Sequence, residues 1–546
     1  MDFTFVAVFN RCVTVELNND AVYRMDEPVE VQVCEAGENA QFRNHRSKAC
    51  PVQMRCFRTV KNVFTVDGLE PETTYAVTVT DPRGDTVTKE ITTCEESVLL
   101  NVRAFGAKGD GVTNDTAAVQ AAVSSCPPMG TVRFPAGTYR MTPVFLKDDI
   151  TLWIEEGAVL LGETDRTKIP VLPGMTRATN EYDEYNLSSW EGNPLTSFAS
   201  LITGISVHGV DIIGGGVIDG NAAEGDWWQE PRKKRIAWRP NVVYFAYSER
   251  IRMQGVTVRN SPCWTIHPYY CDEIGFYNLT IQNPSDSPNT DGLDPESCRG
   301  VTVLGTLISV GDDCMAIKSG KYYMSQAHPR ATESVVVRNC RLERGHGSVT
   351  VGSEIASGVF DVKVSQCEFD GTDRGLRIKT RRGRGRRSVL DRITFENIRM
   401  TDVPMPFTLN MFYFCDPDGH TDYVQDLAPH PVDEMTPSIG SITARDIECS
   451  GVETSLVCAV GLPESPIGEL TLERIRASYA PVGSRRTQRP VMMDRFEPVS
   501  GQSVIAQNVK SLNLREVTIV GEDVDEPLIT GVEKEMTEGL IFEEQP

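Results

Sequence analysis

Four short stretches carry side chains able to do chemistry: NTDG (Asn289 to Gly292), GDDC (Gly311 to Cys314), GHG (Gly345 to Gly347) and RIK (Arg377 to Lys379). They supply three carboxylates (Asp291, Asp312, Asp313), one imidazole (His346) and a cationic pair (Arg377, Lys379). Three carboxylates gathered in a buried place repel one another, so at least one pKa rises and one acid stays protonated while its neighbours stay ionised. Hydrolysis of a glycosidic bond needs that split, an acid for the leaving oxygen and a base for the attacking water. Taken singly, each stretch is an ordinary turn, because Asp and Gly are what turns favour. Only a scaffold that stacks them in phase makes them a site.

Such a scaffold is written into the chain from about residue 200. Segments such as VDIIGGGVIDG, IRMQGVTVRNSP, IGFYNLTIQNPSD, VTVLGTLISVGDD, VVVRNCRLERGHG and VKVSQCEFDGTDRG share one grammar: a short β run, a turn at Gly, Asn or Asp, a second β run, then a polar loop. Several recur at about 23 to 34 residues, the mark of a stacked solenoid. Strands this short, with no helices between them, do not make a doubly wound sheet, and the Leu-x-x-Leu-x-Leu pattern of leucine-rich repeats is absent. The spacing predicts an all-β chain built on a right-handed parallel β-helix, with the helix after GDGVTNDT closing one open end and Asn114 or Asp115 capping that helix. Counted from strand starts at Ile274, Val301, Val335 and Val362, Asp291 falls about 17 residues on, Asp312, Asp313 and His346 about 11 to 12, and Arg374 to Lys379 about 12 to 17. Successive coils stand about 4.8 Å apart. One wall should therefore carry carboxylates, then an imidazole, then cations.

The first 92 residues differ. Alternating runs such as VEVQV and TYAVTVTD, separated by turn residues, predict a small antiparallel sandwich. VDGLEPETTYAVTVTD is similar to the end of a fibronectin type III domain, with Tyr75 as its corner tyrosine. The expected division is a sandwich over 1–92, a linker over 93–99 and the β-helix over 100–546. GAKGDG lacks the GxGxxG and GK[ST] spacings of nucleotide loops.

The net charge of −22 opposes non-specific binding to nucleic acid or anionic membrane. RGLRIKTRRGRGRR (374–387) concentrates cations but contains no aromatic residue to stack on bases. It reads as a local anion cradle, with the roles of Arg381 to Arg387 open between a further anion, the protein's own carboxylates and solvent. No membrane span and no signal peptide are expected, and the 15 scattered cysteines suit free thiols in a reducing compartment, so a cytoplasmic location is expected. The sequons at Asn114, Asn186 and Asn278 read as chance.

NTDG, GDDC, GHG and RIK, in this order and spacing, resemble glycoside hydrolase family 28, the polygalacturonases, over roughly 450 residues from VRAFGAKGDG onwards. The resemblance implies the right-handed parallel β-helix, a pectic galacturonan as substrate and hydrolysis with inversion. It makes Asp312 the general acid, places Asp291 and Asp313 on the water, and has His346 hold the acid's protonation state. The carboxyl gap implied is about 6.5–9.5 Å. Arg377 and Lys379 would bind the uronate carboxylate, with Asn289, Lys318 and Tyr413 as further substrate-binding residues, and no metal or cofactor is called for. GDDCMAIKSG, RGLRIKTRRGRG and the sandwich ahead of the coils resemble bacterial exo-acting members, in which segments about 160–200 and 402–440 would close one end of the groove. Alternatives left open are a rhamnose- or xylose-containing galacturonan as substrate, a pectate lyase, and a non-catalytic pectin-binding β-helix. Oligomeric state is not legible.

Overall fold

The computed structural model describes residues 1–36, 55–177 and 184–544. Its centre is a stack of parallel strands, and the register shows why the sequence repeats. Ile251, Ile274, Val301, Val335, Val362 and Ile393 pair directly from one coil to the next, and Ile442, Leu470 and Leu512 continue the column. The strand starts read from the sequence are thus true rungs of a right-handed parallel β-helix. Every member of the column is buried, and each such side chain removed from water contributes about 1.5–3 kcal/mol. Truncating one, as in Ile274→Ala, would cost about 2–5 kcal/mol through the void left between rungs.

The Gly/Asn/Asp turn in each repeat is one residue with left-handed backbone. Asn278, Gly305, Asn339, Gln366 and Asn397 stack as a bend column with φ of 50, 66, 53, 53 and 52°. Gly and Asn are the residues that enter this region most readily, which explains the recurring letters.

The helix Thr116–Ser125 buries Val119, Ala122 and Val123 in the core of the first coils. Its capping is shared rather than single. Asn114 accepts the Thr116 N–H (3.0 Å), while Asp115 turns back and accepts the amides of Lys108 and Gly109 (2.7 and 2.9 Å). The amides of GAKGDG that a phosphate would need are therefore occupied.

Ahead of the β-helix, strands Asp2–Val8, Val13–Asn18 and Val63–Val66 face a second antiparallel sheet of Arg24–Glu35, Arg55–Lys61, Thr74–Thr80 and Thr86–Thr92 across a core that includes Phe3, Val15, Val31, Phe64 and Val79. The Tyr75 hydroxyl accepts the Glu70 N–H at 3.0 Å. This sandwich docks along the bend column. Thr65 accepts from Asn278 (3.0 Å), Val63 fills the space over Gly305, Glu16 takes both Arg338 (2.6 Å twice) and Asn339 (2.8 Å), and Asn397 donates to the Asp20 carbonyl (2.8 Å). Among the described residues its hydrogen bonds and ion pairs do not reach the loops before the third strand of each coil, where the site lies. Residues 93–98 join the two parts, with Glu96 held by Arg11.

Among the described residues, no helix is long and apolar enough to cross a membrane. The 14 described cysteines are all free thiols. Asn186 is fully buried and Asn278 is bonded to the sandwich, so two of the three sequons are closed to modification.

Candidate active site

The third strand of each coil sets the register of the site. Leu293, Met315, Val349 and Leu376 stack inward as one column. Two residues before them stand Asp291, Asp313 and Gly347; three before Met315 and Val349 stand Asp312 and His346. Main-chain bonds lock the rungs: Gly292 N–H to the Asp313 carbonyl (3.0 Å), Cys314 N–H to Gly347 (2.8 Å), His346 N–H to Asp312 (3.0 Å). Carboxylate oxygens of Asp291, Asp312 and Asp313 consequently lie within 4.8 Å of one another. The inverting gap of about 6.5–9.5 Å is not what these nearest oxygens give. Asp312 and Asp313 are chain neighbours and Asp291 is one rung away, so the coil rise sets the spacing, at the reach of a single bridging water.

The glycines of GHG make the next rung possible. Gly345 has φ of 77°, and a Cβ there would meet the Asp312 carbonyl at 2.3 Å. A Cβ on Gly347 would stand 2.4 Å from Thr350 Oγ1 and 2.9 Å from Asp313 Oδ1. The missing side chain leaves the lane through which Arg377 reaches back to Asp313, its Cδ 3.3 Å from where that Cβ would stand; Lys379, outward-facing on the same strand Arg374–Lys379, reaches Asp313 as well. Arg377 Nη1 lies 2.9 Å from Oδ1 and Lys379 Nζ 2.7 Å from Oδ2. The two cations expected to hold substrate thus hold a carboxylate of the site first. Both residues also line the cavity.

Charge differentiates the three aspartates. Burial alone would raise Asp313, but Lys379 and Arg377 outweigh it and hold the carboxyl well below the usual carboxylate range. Asp291 is pushed well above that range by burial and by Asp312 and Asp294, against the weaker pull of Lys318. His346 Nδ1 lies 3.2 Å from Asp312 Oδ1, and that bond, with the charges of Asp312 and Asp313, raises the imidazole above its ordinary pKa despite burial. The expectation that crowding would keep one acid protonated is met at Asp291. These three carboxylates are also, among the described residues, the cluster able to surround a cation, although Asp313 already has two positive partners.

Lys318 is neither solvated nor free. It is 3% exposed, 3.0 Å from Glu354, 3.6 Å from Asp294 and 4.0 Å from Asp291, and it lies over the Trp264 ring. Asp294 is fully buried, and neither of its oxygens accepts a hydrogen bond. Neither Asp294 nor Glu354 was singled out from the sequence. Asp294 follows Asp291 by three residues in NTDGLD, and that spacing was its available signal.

All nine residues expected from the sequence, Asp291, Asp312, Asp313, His346, Arg377, Lys379, Asn289, Lys318 and Tyr413, line one cavity of about 690 Å3. Both long inter-strand segments contribute walls, Trp190 and Glu191 from one, Phe414 to Pro417 and His420 from the other. Sequence reasoning missed the Trp190–Trp238 stack (centroids 4.6 Å apart), Arg239, which donates to Asn289 Oδ1 at 2.6 Å, and Met492. These come from loops far apart in sequence, and only the stacking brings them together. The outer half of the basic run is resolved: Arg381 pairs with Asp416 and Asp418, Arg382 with Glu464, Arg384 with Asp416, while Arg386 and Arg387 are exposed. Most of its charge ties down the 411–437 segment rather than meeting a ligand.

A solenoid wall with three crowded carboxylates, a paired imidazole and cations one rung on defines a class of polysaccharide-acting β-helix enzymes. Residues 153–428 match the family Glycosyl hydrolases family 28. A probable polygalacturonase of Vitis vinifera is 30% identical over 384 residues, covering 69% of this chain and 73% of that protein. An exo-poly-alpha-D-galacturonosidase of Dickeya chrysanthemi is 23% identical over 443 residues, covering 71% and 70%. In fold, the family 28 exopolygalacturonase of Yersinia enterocolitica superposes with a TM-score of 0.61 at 18% identity, covering 100% of this chain and 99% of that one. The chain belongs to glycosyl hydrolase family 28 and is a glycoside hydrolase.

Proposed function

We propose that this enzyme hydrolyses α-1,4-galacturonosyl linkages of a pectic galacturonan, acting from a chain end and with inversion. The observation that carries the reading is the placement of Arg377 and Lys379, two rungs from Asp313 yet reaching back to it, in one cavity with the aspartates. Cations there suit a carboxylate on the sugar being cleaved. The relatives named polygalacturonase or galacturonosidase support the substrate class. The walls that Trp190, Glu191 and Phe414 to Pro417 add to the cavity support a site for a chain end over an open groove. In this reading Asp313, held ionised, takes a proton from the water as its oxygen attacks C1. Asp291 orients that water. As the C1–O bond breaks, the glycosidic oxygen takes the proton held between Asp312 and His346.

A second assignment, Asp291 as proton donor, is favoured by its raised pKa. An aryl galacturonide whose leaving group needs no protonation separates the two: the acid variant keeps activity on it, the water-orienting variant does not. Product analysis on a defined hexagalacturonate tests the mode. Release of only mono- or digalacturonate at early times supports it, and a ladder of intermediate oligomers overturns it.

Two finer readings belong to the same proposal. The strand arrangement and the Tyr75–Glu70 bond support a fibronectin type III assignment for the sandwich. The free thiols support a reducing compartment, which cell fractionation would test.

A further inference from the structure

Arg377 is the cation best placed to read a uronate, yet its second N–H face is already covered. Nη1 is taken by Asp313, and Nη2 lies 3.0 Å from the Met492 sulfur. The Arg377 side chain is 9% exposed with that thioether in place. The contact is not incidental, because the segment that presents it is pinned through its main chain. Gln488 and Val499 close the segment by mutual backbone bonds (3.1 and 3.0 Å). Arg374 Nε donates to the Pro490 carbonyl (3.2 Å), Asn410 Nδ2 to the Met492 carbonyl (3.1 Å), and the Asp494 N–H donates to Gln425 Oε1 (3.0 Å). The backbone is held on both sides of residue 492, and its side chain is left to lie on the guanidinium. Arg374 takes part in no ion pair in the described residues, so its work here is to hold this strap.

A thioether is a weak acceptor on a long, unbranched side chain with several rotamers. A carboxylate on the same N–H forms a charge-assisted bond roughly twice as strong as a neutral one. We infer that Met492 is a substrate-site residue that sets affinity at Arg377: its thioether stands in for the substrate's carboxylate on the guanidinium and yields to a free uronate. This rests on the galacturonan reading above. Every sugar bound there must displace the sulfur, a fixed cost that the charge-assisted bond to a uronate offsets.

Two variants move the contact in opposite directions. Met492→Ala removes the competitor and should lower KM for trigalacturonate about fivefold, the size of one modest hydrogen bond, with the change in KM rather than in kcat. Met492→Gln puts an amide oxygen on Nη2, a stronger acceptor than sulfur, and should raise KM for the free acid. An unchanged KM in both variants, or a KM that rises in both, overturns the inference and makes Met492 simple packing; because the two variants are read independently, a misfolded Ala variant leaves the Gln result to decide. Failure of the underlying reading looks different: the parent enzyme itself would release no reducing ends from trigalacturonate.

Discussion

His346 Nδ1 and Asp312 Oδ1 lie 3.2 Å apart across two coils, joined also by the His346 N–H to the Asp312 carbonyl at 3.0 Å. When protonated, the imidazole points a proton at that carboxylate at the mouth of the cavity. Because His346 is raised above the ordinary 6.5, that proton is present below the raised pKa and is lost as pH climbs through it. The alkaline limb of kcat should therefore fall above 6.5 and move or vanish in His346→Gln. A limb unchanged in that variant would remove His346 from the chemistry.

Asp313 is kept ionised by Lys379 and Arg377, so it sets no acid limb in the parent enzyme. In Lys379→Met its pKa rises, and activity is lost as pH falls through the new value. The acid limb of the pH–rate profile should shift upward. Leaving a buried carboxylate with one partner in place of two should also cost about 1.5–3 kcal/mol, measurable by denaturant unfolding.

The sandwich is clasped to the β-helix by Glu16, which holds both Arg338 and Asn339. Glu16→Ala should destabilise the chain by about 1–3 kcal/mol in thermal unfolding while leaving kcat/KM on oligogalacturonates within twofold, since the clasp touches bends and not the site. A matching loss of activity would show that the sandwich shapes the cavity.

Much of this was legible in the chain because a solenoid converts sequence spacing into position. The strand starts at Ile274, Val301, Val335 and Val362 are paired rungs, and from them the phase of Asp291, Asp313 and His346 follows by counting. What counting could not supply was direction and partnership. Arg377 and Lys379 read as substrate ligands, yet each finds Asp313 first, Arg377 through a lane that exists because residue 347 is glycine. Lys318 read as a substrate ligand, and it is buried among three carboxylates. Arg381, Arg382 and Arg384 stood open between a further anion, the protein's own carboxylates and solvent; the carboxylates they meet, Asp416, Asp418 and Glu464, lie 32 to 82 residues downstream in loops that carry no repeat. Met492, on a strap between the last coils, left no periodic signal at all.

Water bridging the closely spaced Asp291 and Asp313 should attack the face opposite the leaving oxygen. Proton NMR during the first turnovers should show the β-anomer of the released galacturonate before mutarotation. Initial appearance of the α-anomer would mean retention and would exclude the single-displacement scheme.

The central claim is that the leaving oxygen takes its proton from Asp312, and the direct measurement is reducing-end release from trigalacturonate by Asp312→Asn. Loss of at least about 10²-fold in kcat, with parental thermal unfolding and with activity retained on an aryl galacturonide, is the expected result. A variant that turns over trigalacturonate at near the parental rate would contradict it.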